Sequence, residues 1–271
     1  MNKRLNSDTI KIIAMVLMLI DHIGVGIVEK IYYSVSDYNL ALKFNHLDTI
    51  LRSFGRIAYP LFAYMLVKGF FYTKNRVRHL ANILVFALIS EIPFDLVDEG
   101  IMFNFRYQNV MITLALGTVM IWALEVVRQD GIQNSISNLW LRKAAYSAFA
   151  IVLIACVASF NYLLHADYGA RGIVTIAIIY MLKDDNLKLV QLGPILFLLN
   201  IFLVTLITEG NIHSTVKYFE FEVYAIAAFP IMYADTGIRN ERRGYFMKWL
   251  GYWFYPVHML VIYLIGAAVV K

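Results

Sequence analysis

KIIAMVLMLIDHIG, residues Lys11–Gly24, is an apolar run long enough to enter a bilayer, and it indicates a membrane protein. It carries Lys11 near one end and the pair Asp21 and His22 near the other. Helical spacing places Lys11 and His22 on one face, about 16 Å apart at 1.5 Å per residue. Ionisable side chains deep in such a run predict a functional site, because they are costly in lipid. The alternative is a polar residue that hydrogen-bonds between packed helices.

The composition extends this prediction to the whole chain. Of its 271 residues, 60% are hydrophobic and 16% are charged, whereas a soluble domain usually has about 25% charged residues. The net charge of +5 does not predict nucleic-acid binding, because the basic residues lie in short loops between apolar runs. The sequence has no metal-binding, P-loop or dinucleotide motif. No metal is expected, and a site shared by His22, His165 and His258 is a weak alternative.

Apolar runs of roughly 18–25 residues recur along the sequence. They predict a single domain, residues 1–271, with the fold of an all-α polytopic transmembrane helical bundle. We predict nine spans, at residues 8–28, 49–72, 77–97, 108–128, 142–164, 170–183, 188–208, 217–234 and 245–270. Pro256 is expected to kink or split the ninth span. Between the fourth and fifth spans, Asp130–Leu141 has the pattern of an amphipathic interfacial helix.

The loops on the two sides of the membrane differ in their basic residues. One set of alternate loops carries 13 Lys and Arg residues, and the other set carries 6. Cytoplasmic loops are the ones that carry an excess of positive charge. The N-terminus is therefore expected in the cytoplasm and, with nine spans, the C-terminus outside.

This orientation places polar residues from at least five helices in the outer half of the bundle. They are Asp21, His22, Arg52, Arg56, Glu91, Asp95, Gln108, Asn109, Thr113, His165, Asp167, Tyr168, Arg171, Glu220, Glu222 and His258. A charge near the centre of a span costs roughly 2.5–3.5 kcal/mol, so such residues are expected to pair or to line a wet cavity. One interpretation of these polar residues is a purely structural ion-pair network. The histidines favour a catalytic site, because imidazole acts as an acid or base near neutral pH.

Six segments resemble the TraX family of bacterial membrane acetyltransferases, named for the protein that acetylates the N-terminus of conjugative F-pilin. They are DHIG (Asp21–Gly24), GRIAYPLFAYMLVKGFFYT (Gly55–Thr73), ISEIPFDL (Ile89–Leu96), QNVMITLALG (Gln108–Gly117), ADYGARG (Ala166–Gly172) and FYPVHML (Phe254–Leu260). The family is similar to broader groups of multi-span acyltransferases that acetylate envelope glycans and carry an essential histidine in an early helix. The resemblance implies that acetyl-CoA is the donor, that His22 is catalytic, and that the protein lies in the bacterial cytoplasmic membrane.

The expected mechanism is direct transfer, in which His22 removes a proton from the acceptor as the acceptor attacks the thioester. Adjacent side chains on a helix do not face each other, so Glu91 or Asp95 is expected to orient the imidazole. Asp21 is left to pair elsewhere, with Arg56 as its candidate partner. The predicted catalytic residues are His22, Asp21, Arg56, Glu91, Asp95, Asn109 and His258.

The donor is made in the cytoplasm, so transfer to the outer face requires a pore that admits its pantetheine arm. Basic residues near the cytoplasmic end are expected to hold the nucleotide phosphates. The candidates are Lys11, Lys68, Lys74, Arg76, Arg78, Arg239, Arg242 and Arg243. Lys11 is the sharpest of them, because it lies about one pantetheine arm from His22. Arg56 or Asn109 is expected to stabilise the thioester oxyanion.

The acceptor is expected to be an amine, such as a peptide or pilin N-terminus, on the extracytoplasmic side. The expected partners are the lipid bilayer, acetyl-CoA and this peptide or glycan acceptor, with no nucleic acid. Acetylation of a hydroxyl on an envelope glycan or lipid is the first alternative, and a covalent acetyl-histidine intermediate stays open. A small-solute transporter is the alternative from another class, and an assembly scaffold is a third.

Overall fold

The computed structural model describes residues 5–128, 138–238 and 241–269, without the side chains of 241–243. In these residues the fold is all-α, as predicted. The α-helices are α1 (Ser7–Ile23), α2 (Glu29–Ser34), α3 (Tyr38–Gly55), α4 (Ala58–Tyr72), α5 (Arg76–Asp98), α6 (Val110–Val126), α7 (Leu139–Leu163), α8 (Gly169–Leu182), α9 (Asn186–Glu209), α10 (Ile212–Glu222), α11 (Ala228–Tyr233) and α12 (Glu241–Val269). A π-helical turn, Gly24–Val28, joins α1 to α2, so the helical backbone is continuous through both.

Seven of the nine predicted spans correspond to single apolar helical segments. In the described chain, five are long and apolar enough to cross a membrane, namely Ser7–Ser34, Arg76–Asp98, Leu139–Leu163, Asn186–Glu209 and Gly244–Val269. Two shorter apolar helices are Val110–Val126 and Gly169–Leu182. The helical-bundle class follows from this set.

The other two predicted spans are interrupted. The run at 49–72 contains the end of α3 at Gly55 and the start of α4 at Ala58. At this break α3 ends directly against α1: a Cβ placed on Gly55 would lie 2.2 Å from the Cβ of Asp21. The run at 217–234 is divided among α10, a 3₁₀ turn at Val223–Ala227 and α11. Both breaks lie beside charged residues, Arg52 and Arg56 at the first and Glu220 and Glu222 at the second, within runs that are apolar on average.

Two further expectations concern the ends of spans. Residues 129–137, which hold most of the predicted interfacial helix Asp130–Leu141, lie outside the described residues, and Leu139 begins α7. Pro256 does not split the last helix, because α12 runs without a break from Glu241 to Val269.

Helices α1 and α12 run parallel and in register, and this arrangement positions the site. The Nζ of Lys11 donates to the carbonyl oxygen of Met247 at 3.2 Å. Eleven residues further along each helix, Nδ1 of His22 lies 2.6 Å from Nε2 of His258. The two levels are therefore about 16 Å apart along the helices.

Beyond the histidines, the two helices meet through glycine. A Cβ on Gly266 would lie 2.3 Å from the carbonyl oxygen of Gly26. The obstructing atom is backbone, so Gly266→Ala must push α12 away from α1. We expect a loss of about 1–3 kcal/mol in stability, measured as a lower thermal midpoint of the purified protein, together with reduced activity from the displaced histidine pair.

Gly244→Ala is the control, because a Cβ at this position on the same helix meets no atom within 4 Å. It is expected to keep or slightly raise the thermal midpoint, since alanine is a better helix former than glycine. Equal midpoints for the two variants would contradict close packing at Gly266.

Candidate active site

One cavity of about 1050 Å³ connects the levels of Lys11 and His22. Small-molecule sites usually enclose about 300–1,000 Å³, so this cavity has room for a large ligand. We call one end of it the basic end, lined by Lys11, Lys74, Arg78 and Lys248. We call the other the histidine end, lined by His22, Arg52, Asp167 and Tyr255. Apolar side chains line the stretch between them, including Met18, Phe62, Met65, Met111 and Leu114.

The histidine end is organised by two imidazoles from different helices. His22 comes from the last turn of α1, and His258 lies in the middle of α12. Their ring centroids are 4.9 Å apart, with an angle of 19° between the planes. Nδ1 of His258 is 2.6 Å from the carbonyl oxygen of Phe254, one turn earlier on α12. His258 is thus held from two sides.

These contacts determine the tautomers of the neutral pair. A carbonyl oxygen only accepts hydrogen bonds, so Nδ1 of His258 carries its proton and Nε2 presents a lone pair. Nδ1 of His22 must then donate to His258, which leaves the lone pair of His22 on Nε2. None of the described residues forms a hydrogen bond with this Nε2 atom, and His22 lines the cavity. The arrangement equips His22 to accept a proton.

An ion-pair network fixes the helix that bears His22. Arg56, in the turn between α3 and α4, contacts Asp21 through Nη2 at 3.3 Å and Glu222 through Nη1 at 3.0 Å. Nε of Arg52 lies 3.6 Å from Asp21. The expected pairing of Asp21 with Arg56 is therefore present. Both side chains are nearly buried, so Arg56 serves as a clamp between α1 and α10.

The two carboxylates of α5 do not orient His22, and that expectation is corrected. Glu91 accepts from the side-chain amide of Asn109, and Asp95 accepts from the backbone N–H of Asn104 at 2.7 Å. Asn109 also caps α6 by accepting from the N–H of Met111. Glu91, Asp95 and Asn109 are absent from the cavity lining, because they close the junction between α5 and α6. Asn109 is thus unavailable to a thioester oxyanion.

Another carboxyl lies at the histidine end, in the turn between α7 and α8. Desolvation among the surrounding helices raises the pKa of Asp167, although the positive charge of Arg56 opposes the shift and the residue stays exposed to the cavity. Backbone bonds with Gln108 hold this turn against the start of α6. Asp167 therefore adds a carboxyl group to the cavity wall at the histidine end.

At the opposite end, the cation candidates separate into three groups. Lys11, Lys68, Lys74 and Arg78 line the cavity, but Lys68 forms an ion pair with the buried Asp235. Arg76 is outside the lining, and its guanidinium lies 4.7 Å from the ring centroid of Phe70. Arg239 and the side chains of Arg242 and Arg243 lie outside the described residues.

The family model described as TraX protein matches residues 6–266. The chain belongs to the TraX family. A probable fimbrial assembly protein, FimC of serogroup H1 from Dichelobacter nodosus, is 37% identical over 73 residues, which cover 24% of this chain and 30% of that protein. Uncharacterized protein RP591 of Rickettsia prowazekii (strain Madrid E) is 26% identical over 191 residues, which cover 69% of this chain and 61% of that protein. Each alignment therefore covers less than two thirds of the relative, and no solved structure matches.

Two lining residues of this TraX-family membrane protein were missed by the sequence analysis. Lys248 reaches the basic end from α12, next to the Met247 carbonyl that accepts from Lys11. The proximity of Lys248 to Lys11 depends on the register of α1 against α12, which the sequence does not show. Tyr255 has its ring centroid 6.0 Å from that of His22. Its spacing of three residues from His258 places the two on one helix face, which was a usable signal.

Proposed function

We propose that this protein is a membrane-embedded acetyltransferase that moves an acetyl group from cytoplasmic acetyl-CoA to an amine on the extracytoplasmic side. The family supplies the chemistry, because the resemblance to TraX implies acetylation of a pilin N-terminus. The observation that carries the proposal for this chain is the continuity of one cavity from the basic end to His22. A donor and an acceptor that approach from opposite sides can meet only in such a passage.

In the proposed step, the acceptor nitrogen attacks the thioester carbonyl carbon while Nε2 of His22 removes a proton from it. The carbon–sulfur bond then breaks, the acetyl group stays on nitrogen, and CoA leaves as a thiol after taking up the proton that His22 removed. His258 accepts the hydrogen bond from Nδ1 of His22 throughout the reaction. This bond stabilises the imidazolium that forms on His22 and holds its ring in place. His258 acts here as a positioning residue.

Arg52 replaces Arg56 as the proposed donor to the thioester oxyanion. Arg56 is occupied by two carboxylates and packs on the ring of Phe221. Arg52 is held more loosely, at 3.6 Å from Asp21 and 3.7 Å from Glu29, and its side chain is 27% exposed where it lines the cavity. A guanidinium near the developing negative charge stabilises the transition state more than the ground state.

The test uses purified full-length protein in lipid vesicles with acetyl-CoA that carries a labelled acetyl group. We expect thiol release that depends on a peptide with a free N-terminus, and label on that peptide by mass spectrometry. The same peptide with its N-terminus already acetylated is the control. Label on an added glycan or lipid hydroxyl would move the acceptor to oxygen, and solute counterflow without thiol release would favour a transporter.

A further inference from the structure

Three cations reach the basic end from separate parts of the chain. Lys74 lies between α4 and α5, Arg78 lies in the first turn of α5, and Lys248 lies on α12. All three line the cavity. Among the described residues, no carboxylate forms an ion pair with any of them. Their charges are therefore available to a ligand in the cavity.

The other charged groups at this end leave the excess positive. Lys68 is neutralised by Asp235, whose carboxylate also accepts from Tyr64 at 3.1 Å. Asp8 is the further carboxylate in this part of the lining. Lys11 adds another cation at the level of Met247, held by its bond to the Met247 carbonyl. An anion with more than one negative charge fits this balance.

The distance from the basic end to the histidine pair sets the length of the rest of the ligand. Lys11 and Lys248 lie at the level of Met247, about 16 Å from His22 along α1. The wall between these levels is mostly apolar, so the connecting part of the ligand must be narrow and uncharged. Positive-inside bias alone does not explain why these side chains line the cavity, because Arg76, also in the first turn of α5, packs on Phe70 instead.

We infer that Lys74, Arg78 and Lys248 form the binding subsite for the phosphates of a nucleotide whose neutral arm carries the thioester toward His22. This inference deepens the proposed function and rests on it for the identity of the arm. Arginine binds phosphate oxygens in a bidentate manner, and lysine does so as a point charge. The site therefore selects a donor with a nucleotide over one with the same arm and no phosphates.

The experiment compares acetyl-CoA with S-acetylpantetheine, which has the thioester arm but no nucleotide. The variants are Arg78→Gln and the triple variant Lys74→Gln, Arg78→Gln, Lys248→Gln. Each lost charge-assisted contact is expected to lower the ratio of the two kcat/KM values by about tenfold or more. The affinity for CoA, measured by calorimetry without turnover, is expected to fall in parallel. Arg76→Gln is the matched control, and size-exclusion chromatography verifies folding.

Each outcome separates the subsite from the reaction. A ratio that is equal in wild type and triple variant, or that falls equally in Arg76→Gln, overturns the subsite while acetyl-CoA turnover still supports the proposed function. CoA binding that weakens in Arg78→Gln without any turnover of acetyl-CoA by wild type keeps the subsite and rejects the proposed function. Absence of both CoA binding and turnover in the wild type overturns both.

Discussion

His22→Gln is expected to lower the acetyl-transfer rate by about 10²–10⁴-fold, the contribution typical of a general base. The glutamine amide takes the place of Nε2 of His22, not of Nδ1, so it reaches Nε2 of His258 only after a change of side-chain rotamer. What it lacks is a basic lone pair directed into the cavity. His22→Ala is expected to lose the same activity and, in addition, the interhelical bond. The measurement is thiol release under saturating acetyl-CoA, with the thermal midpoint as a test of folding.

His46→Gln is the control for this prediction, because His46 is exposed on α3 and absent from the cavity lining. It should retain wild-type turnover. His258→Gln is expected to give an intermediate loss, because the tautomer of His22 is then no longer fixed. Turnover near the wild-type rate in a folded His22→Gln protein would reject the role of the imidazole as base.

That Lys11 and His22 line one cavity could be predicted from the sequence, because both lie on one helix. Eleven residues are close to three turns, so their common face and their separation follow from helical geometry alone. The partner of His22 does not follow in this way. It depends on α12 running parallel to α1 and on close glycine contacts such as Gly26 with Gly266, which are tertiary features.

The prediction for Glu91 and Asp95 was wrong for a related reason. A spacing of four residues shows that two side chains share a helix face, but it does not show which neighbour that face meets. In the structure the neighbour is the start of α6, so Glu91 meets Asn109. The same limit applies to Lys68, because nothing local to its span indicates a pair with Asp235, 167 residues away.

The α3–α4 break shows what hydropathy misses. The run at 49–72 is apolar on average, yet α3 ends at Gly55 and α4 begins at Ala58. An arginine there, flanked by Gly55, is better explained by a turn whose guanidinium points into the bundle than by a span. The two carboxylates that pair with Arg56 come from α1 and α10. The role of Arg56 is therefore visible only in the assembled bundle.

Arg56→Met is the second large effect we expect, and it acts on stability. The substitution leaves the carboxylate of Glu222 buried without its cation and removes from Asp21 one of its two arginine partners. Removing one member of a buried ion pair typically costs about 3–5 kcal/mol. We expect a correspondingly lower midpoint of thermal and denaturant unfolding in detergent. Lys188→Met is the control, because its pair with Asp185 is exposed and such pairs contribute at most about 1 kcal/mol.

A second substitution separates charge from packing. If the cost of Arg56→Met arises from stranded charge, then adding Glu222→Gln should recover part of the stability, because a neutral amide is cheaper to bury than a carboxylate. If the cost arises from lost packing on Phe221, the double variant should be no more stable than the single one. Arg56→Lys should fall between wild type and Arg56→Met, since one ammonium reaches two carboxylates less well than a planar guanidinium. If Arg56→Met lowers the free energy of unfolding by less than about 1 kcal/mol, the network contributes no more than a surface ion pair. Arg56 would then not be what holds the helix that carries His22.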